Sequence, residues 1–406
     1  MTRIQNLKNY ISKHQLTLLG VGPMSKNVVD AAIAVANEKD FPMIMIASRR
    51  QIEAAQFGGG YVNSWDTKSF ADYVRSQDKA GNIYLARDHG GPWQGEFEVN
   101  EGRSYTEALE SAKQSYAEDI DAGFEILHLD PNRAGPNGEP AADLDTYIQR
   151  TMELMVYCHN YAAQKEKQIS FEVGTDEGVI GELPADSIIR FYEIIARLCR
   201  IEQIPLPDFL VMTTGTKVME ARNTGVLSDI VEAEGKVGDD HVVTRMVKFC
   251  NENNLLLKEH NADYLSPAVI SWHPAAGIHS ANVAPEFGVA ETRAILELMQ
   301  RYGAAELQDR FVALALASGK FKKWMLPQTT ATDLDRAIIA GHYIFALPEF
   351  AEIKQDLAQY CVRDGIDLDR YLVNAVRNSI LRYTDGFGLS NGQAVWSQNK
   401  YYERAA

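Results

Sequence analysis

What this chain has little of narrows its class before any motif is read. Its four cysteines, Cys158, Cys199, Cys250 and Cys361, are far apart and none stands in Cys-x-x-Cys spacing. That argues against a zinc ribbon or a disulfide scaffold; three of them fall in helix-patterned stretches and read as buried hydrophobes. No apolar run approaches the roughly 20 residues that span a bilayer, and the N-terminal segment lacks the apolar core of a signal peptide. The expectation is a cytoplasmic protein with no membrane partner. Positive charge is scarce, 40 Lys and Arg against 55 Asp and Glu for a net charge of -15. An acidic balance of this kind argues against nucleic acid as a partner, because binding phosphate backbones takes clustered cations. It leaves room for a small phosphorylated substrate, since one pocket can be basic on an acidic surface. Walker A and Gly-x-Ser-x-Gly signatures are absent, and no Gly-x-Gly-x-x-Gly follows the first predicted strand.

What is present is an alternation. Hydrophobic content of 46% and charged content of 23% across 406 residues are those of an ordinary globular protein with a large core. Short apolar runs predict strands at Leu16 to Val21, Met43 to Ala47, Ile83 to Ala86, Glu125 to Leu129, Gln168 to Val173, Phe209 to Thr213, Leu255 to Glu259 and Ala276 to Asn282. Helix-spaced apolar residues follow most of them. Eight strand-helix units before about residue 301 suit right-handed parallel crossovers and close a barrel. The predicted fold is α/β, a (β/α)8 TIM barrel over residues 1–302. From residue 303 to 406 the period is helical only, which predicts a C-terminal helical extension that covers the mouth, packs on the barrel or forms an oligomer contact.

Polar residues collect where the predicted strands end. Asn82 to Pro92 runs from strand character into Asp88-His89 and breaks at Gly90-Gly91-Pro92. The other ends contribute His128 and Asp130, Glu172, Thr214 and Lys217, His260 and Asp263, and His279 and Asn282. Barrels of this kind carry their chemistry at the C-terminal ends of the strands. Three or more imidazoles and a carboxylate converging there can hold a divalent ion with a position open for substrate. His89, Glu172 and His260 are the expected metal ligands and Asp88 and Asp130 the expected proton-transfer groups. Gln56, His128, Lys217, Asp263, His279 and Asn282 are the expected substrate contacts. Each has a structural alternative: His89 as a turn-stabilising imidazole, His128 with Asp130 as a hydrogen-bonded core pair, Lys217 as a solvated loop residue.

Several of these stretches together resemble a known family. They are Gln56-Phe57-Gly58-Gly59-Gly60-Tyr61, Asp88-His89-Gly90-Gly91-Pro92, Gly123 to Asp130, Gly174-Thr175-Asp176 and Glu259 to Tyr264. In this order they resemble the tagatose-bisphosphate aldolase subunit family, whose members are also labelled non-catalytic subunit or tagatose-6-phosphate kinase. More distantly, the Asp-His-Gly element is similar to that of class II fructose-bisphosphate aldolases. The resemblance implies a TIM barrel and zinc, with His89 and His260 as ligands and Asp88 as the neighbouring acid that handles a hydroxyl proton. This chain departs from the class II aldolases after the sixth strand, where Thr213 to Lys217 holds no histidine, and from the subunit family in the eighth, where Ala276 to Asn282 holds no lysine.

The leading expectation is a metal-dependent aldolase acting on a ketose or ketose phosphate. The same metal and acid-base pair would serve an epimerase. A non-catalytic subunit that stabilises a separate aldolase is the alternative from another class. The partners expected are a sugar or sugar phosphate and either further copies of the chain or an aldolase subunit.

Overall fold

The computed structural model describes residues 2–177, 181–390 and 396. Eight parallel strands close into a barrel: β1 (Leu18–Val21), β2 (Met43–Ser48), β3 (Ile83–Gly90), β4 (Ile126–Leu129), β5 (Ser170–Thr175), β6 (Phe209–Met212), β7 (Leu256–Glu259) and β8 (Ser280–Val283). Each strand pairs with its neighbours in sequence, and β8 returns to β1 with Leu18 opposite Ser280 and Val21 opposite Val283. The TIM barrel expected from eight apolar runs is the architecture found. Strands covered on both faces must be apolar almost throughout, and β1, β4, β6 and β8 are buried along their whole length.

Two connections differ from the sequence pattern. Residues Pro267–Ala276 form a helix capped by Ser266, so β8 starts only at Ser280 and the predicted strand residues Ala276 to His279 precede it. The β6–β7 connection holds a small hairpin (Val218–Met219 with Arg222–Asn223) and a helix (Val226–Glu234) that periodicity did not separate.

The C-terminal helices Ala305–Ala317, Asp333–Ala340 and Pro348–Arg363 form their own apolar cluster against the outer face of Pro285–Arg301. Helix Leu368–Gly386 instead turns Val376, Ile380 and Tyr383 into the barrel's cluster. Helix Asp333–Ala340 ends at Gly341, where a Cβ would collide with Thr292, and the chain continues as a 3-10 turn, Gly341–Ile344. Of the predicted extension, residues 391–395 and 397–406 lie outside the described set. No helix among the described residues is long and apolar enough to cross a membrane, and all four cysteines are free and buried.

Candidate metal centre and substrate cavity

In an unbroken strand, consecutive side chains face opposite sides. Asp88 and His89 escape that rule for two reasons. The register of β3 against β4 shifts between Arg87 and Gly90, a bulge, and His89 adopts a left-handed backbone with φ 44°. That conformation costs a residue with a Cβ roughly 1–2 kcal/mol. Both side chains consequently line one cavity of about 210 Å³ at the C-terminal ends of the strands. Gly90 is needed beside them, because the Tyr116 hydroxyl occupies the place of its Cβ and donates to the His128 carbonyl at 2.8 Å.

Asp88, His128, Glu172 and His260 each offer one ligand atom, and these atoms lie within 4.8 Å of one another. His260 Nε2 is 3.7 Å from both Asp88 Oδ1 and Glu172 Oε1. His128 Nδ1 is 3.8 Å from Glu172 Oε1 and 3.9 Å from Asp88 Oδ1. Ligand atoms about 2.0–2.2 Å from a tetrahedral cation are separated by about 3.3–3.6 Å, so small side-chain shifts bring the set to coordination distance. Two of the atoms, Glu172 Oε1 and His260 Nε2, are buried with no hydrogen-bond partner. Leaving such atoms unpaired costs about 1–3 kcal/mol each, a penalty that a bound cation removes. The residues therefore fit a divalent ion.

The neighbours of this set orient it. His260 Nδ1 is paired with Asp176 Oδ1 at 2.8 Å, which turns Nε2 toward the cluster. His128 Nε2 is held by the Gly174 carbonyl at 2.8 Å, and its Nδ1 accepts the His89 backbone N–H at 3.1 Å. Glu172 Oε2 accepts from the buried ammonium of Lys258 at 2.6 Å. Burial works to raise the Glu172 carboxyl, but Lys258 and the two imidazoles outweigh it and hold it down to about 2. Burial works against a charge on His260, yet Asp176, Glu172 and Asp88 raise it to about 9. The cluster is thus built to favour positive charge at its centre. Replacing Asp176 by Asn keeps an acceptor for His260 and removes the charge. Metal affinity should fall about 10–100-fold in a chelator-competition titration; an unchanged affinity would exclude Asp176 as the group that orients His260.

His89, expected as a ligand, stands outside the four-residue cluster. Its Nδ1 is paired with Asp130 Oδ2 at 2.8 Å, and its Nε2 lies 3.9 Å from Asp176 Oδ1. A second grouping, His89, Asp176 and His260, also has ligand atoms within 4.8 Å of one another. Burial opposes a charge on His89 and is overcome by Asp88, the bond to Asp130, Glu177 and Asp176, which raise its pKa well above the ordinary value. Asp88, expected to move a proton, sits in the cluster instead.

The remaining predicted residues divide. Asn282 lines the cavity and donates to Asp88 Oδ1 at 3.3 Å. Asp263 also lines it, accepting from the N–H groups of Ala284 and Glu286, and burial followed by the charge of Glu286 pushes it up to about 7. Gln56 and Lys217 are exposed and do not reach the cavity. His279 is a correction. It precedes β8, at the opposite end of the barrel, where its ring accepts from Leu257 N–H at 3.0 Å and meets Asn251 at 3.1 Å.

Arg50, Arg133 and Lys323 were not assigned from the sequence, yet all three line the cavity. Arg50 follows β2, Arg133 follows β4, and Lys323 comes from the 3-10 turn Lys320–Trp324 of the C-terminal extension. Among the described residues none of the three has an ion-pair partner, whereas the buried Arg49 and Arg87 each bind carboxylates. Asp176 and Lys258 were also missed as supports. Asp176 ends the Gly174-Thr175-Asp176 stretch, a strand-end signal that was available; a lysine inside a strand carries none.

The family model described as D-tagatose-1,6-bisphosphate aldolase subunit GatZ/KbaZ-like matches residues 5–185. The matched stretch includes the Asp88-His89 element, His128, Asp130, Glu172 and Asp176, and the resemblance seen in the motifs holds. Among solved structures, the chain is similar to a probable tagatose 6 phosphate kinase from Sinorhizobium meliloti 1021, at 16% identity and TM-score 0.73, covering 91% of this chain and 100% of that one. It is also similar to a fructose-bisphosphate aldolase from Campylobacter jejuni, at 10% identity and TM-score 0.53, covering 95% and 94%. The YdjI aldolase from Escherichia coli K12 aligns at 15% identity and TM-score 0.50, covering 96% and 98%. At these identities the likeness is one of fold. No curated protein matches the sequence.

Proposed function

We propose that the chain is a divalent-metal-dependent aldolase acting on a ketose phosphate, with Asp88, His128, Glu172 and His260 holding the ion. The observation that carries this reading is the pair of buried, unpartnered atoms, Glu172 Oε1 and His260 Nε2, facing Asp88 across the cavity floor. When bound, the cation would act as a Lewis acid on the carbonyl or hydroxyl oxygen of the sugar; zinc is the metal implied by the family resemblance. The chain's own residues do the rest. His89 moves the proton at its Nε2, its ring oriented by Asp130 through Nδ1. Asn282 holds Asp88 in place and Asp263 shapes the cavity floor by capping the helix Pro285–Arg301.

A phosphorylated substrate is favoured by the unpaired cations. Burial, followed by the charge of Arg50, lowers the pKa of Arg133. Guanidinium groups that repel one another beside a cavity are stabilised when an anion enters, and each charge-assisted hydrogen bond to it is worth about 1.5–3 kcal/mol. Arg133→Ala should therefore raise KM for a phosphorylated ketose about 10–100-fold while leaving KM for the free ketose unchanged.

The test is a screen of ketoses and ketose phosphates with zinc, manganese or cobalt, reading aldehyde release and epimer formation in parallel. Aldehyde release from a ketose phosphate is the expected result. Epimer formation without it would assign the same site to epimerisation. A second reading, a subunit that supports a separate aldolase, is favoured by the word subunit in the matched family's description. An isolated chain that turns over no ketose, yet raises the activity of a separate aldolase, would establish that reading instead.

A further inference from the structure

The cations of the site cavity stand together. Apart from the imidazoles of His89 and His260, the only cationic side chains lining it among the described residues are Arg50, Arg133 and Lys323, and the charge of Arg50 acts on both of the others. Arg50 and Arg133 follow β2 and β4, so they flank the strand that carries Asp88 and His89. Lys323 joins them because its turn is tied to the hairpin of the β6–β7 connection: the Trp324 carbonyl accepts from Glu220 N–H at 2.7 Å, and Thr329 Oγ1 donates to Glu220 Oε1 at 2.6 Å. Trp324 Nε1 also donates to the Tyr343 hydroxyl at 3.2 Å. One rim of the cavity is thus set to receive an anion.

The rim across the barrel is not. TIM barrels frequently bind phosphate in the loops after strands 7 and 8, where backbone N–H groups at a helix start point at the ligand. In this chain those groups are already taken. Asp263 Oδ1 accepts from the N–H groups of Ala284 and Glu286 at 3.0 and 2.8 Å, and Glu286 accepts from that of Tyr264. The N–H groups of Ala262 and Phe287 donate to the carbonyls of Asn282 and Ala284. Asp263 lines the cavity and is only 2% exposed, so a phosphate on this rim would find no free donor and would face a buried carboxyl. A bisphosphate brings two dianions to a cavity that is equipped for one.

We propose that the substrate is a ketose carrying a single terminal phosphate, held by Arg50, Arg133 and Lys323, with Lys323 making the C-terminal extension a specificity-determining part of the site. That the sugar is a ketose rests on the reading of the metal cluster above; the count of phosphates does not. Calorimetric titration of the full-length protein, with zinc present, tests it with D-glucitol, its 1-phosphate, its 6-phosphate and its 1,6-bisphosphate, which lack a carbonyl and are not cleaved. The better-bound monophosphate should bind at least about tenfold tighter than both D-glucitol and the bisphosphate, the worth of one charge-assisted hydrogen bond or more. Lys323 is exposed, so its variants should fold. Lys323→Met should weaken that monophosphate about 10–100-fold and leave D-glucitol within about threefold, while Lys323→Arg, which keeps the cation, should stay within about threefold of the parent for both. A bisphosphate bound as tightly as the monophosphate, no binding of either monophosphate, or monophosphate affinity unchanged in Lys323→Met would each overturn the proposal. The expected order of affinities with no ketose phosphate cleaved would overturn the aldolase reading alone.

Discussion

His260→Ala should purify as a folded barrel that retains no divalent metal and cleaves ketose phosphate at least about a thousandfold more slowly than the parent, the loss of several kcal/mol of Lewis-acid stabilisation. The size of the effect follows from its position. Its Nε2 is the atom nearest to both cluster carboxylates, at 3.7 Å from each, and its Nδ1 is already committed to Asp176. Among the described residues, both groupings that could hold an ion include it. Metal content by mass spectrometry and single-turnover kinetics read the two parts of the result. His89→Ala is the informative contrast: its ring is bound to Asp130 and lies outside the four-residue cluster, so it should keep the ion and lose about 10²–10⁴-fold in kcat through proton transfer alone. Full metal occupancy in His260→Ala would refute the assignment, and loss of metal in His89→Ala would return His89 to the coordination sphere.

The second large effect is on stability and lies behind the site. Arg87 is buried, its Nε and Nη2 bound to Asp119 at 2.8 and 2.5 Å, and its Nη1 donates to the carbonyls of Ala47 and Ile52 at 2.9 and 2.7 Å. One guanidinium therefore ties β3 to the helix Tyr105–Ala122, to the end of β2 at Ala47 and to Ile52 just beyond it, and the residues between those two carry Ser48, Arg50 and Gln51 into the cavity. Arg87→Met leaves the Asp119 carboxylate buried without its partner and should cost about 3–5 kcal/mol, seen as a lower midpoint in chemical denaturation. Adding Asp119→Leu removes the stranded charge and should recover much of that loss, because a buried ion pair replaced by apolar groups is often close to neutral. Both variants free the Ala47 and Ile52 carbonyls, so impaired turnover should persist in the double variant even where stability returns. Equal denaturation midpoints for Arg87→Met and the parent would contradict the clamp.

The site was legible where chemistry follows a strand. Asp88, His260 and Asn282 were visible because a polar residue that closes an apolar run marks a strand's C-terminal end, the end that carries the cavity in this fold, while Glu172 stands within its strand. The same rule failed at His279, since an apolar stretch does not say which of its residues are strand: Ala276 closes a helix and only Ser280–Val283 pairs with β1. It also gave no sign that Asp88 joins the four-residue cluster while His89 pairs with Asp130. A bulge and a left-handed φ are properties of pairing between β3 and β4, and the strand's own sequence carries no mark of either.

By itself, then, the sequence determined the eightfold alternation, the barrel it closes, the helical extension and the resemblance that residues 5–185 carry. These depend on periodicity and on short motifs, which are local. Tertiary structure alone decided which atoms converge. Lys323 follows β3's His89 by more than half the chain and still lines the same cavity, because the C-terminal helices pack their apolar faces on Pro285–Arg301. His260 became a metal-ready imidazole only when β5 brought Asp176 to its Nδ1 and Glu172 toward its Nε2. Packing and hydrogen bonding between distant segments choose which atoms stay unpaired and which side chains meet, and those choices bring Asp88, His128, Glu172 and His260 within reach of one another.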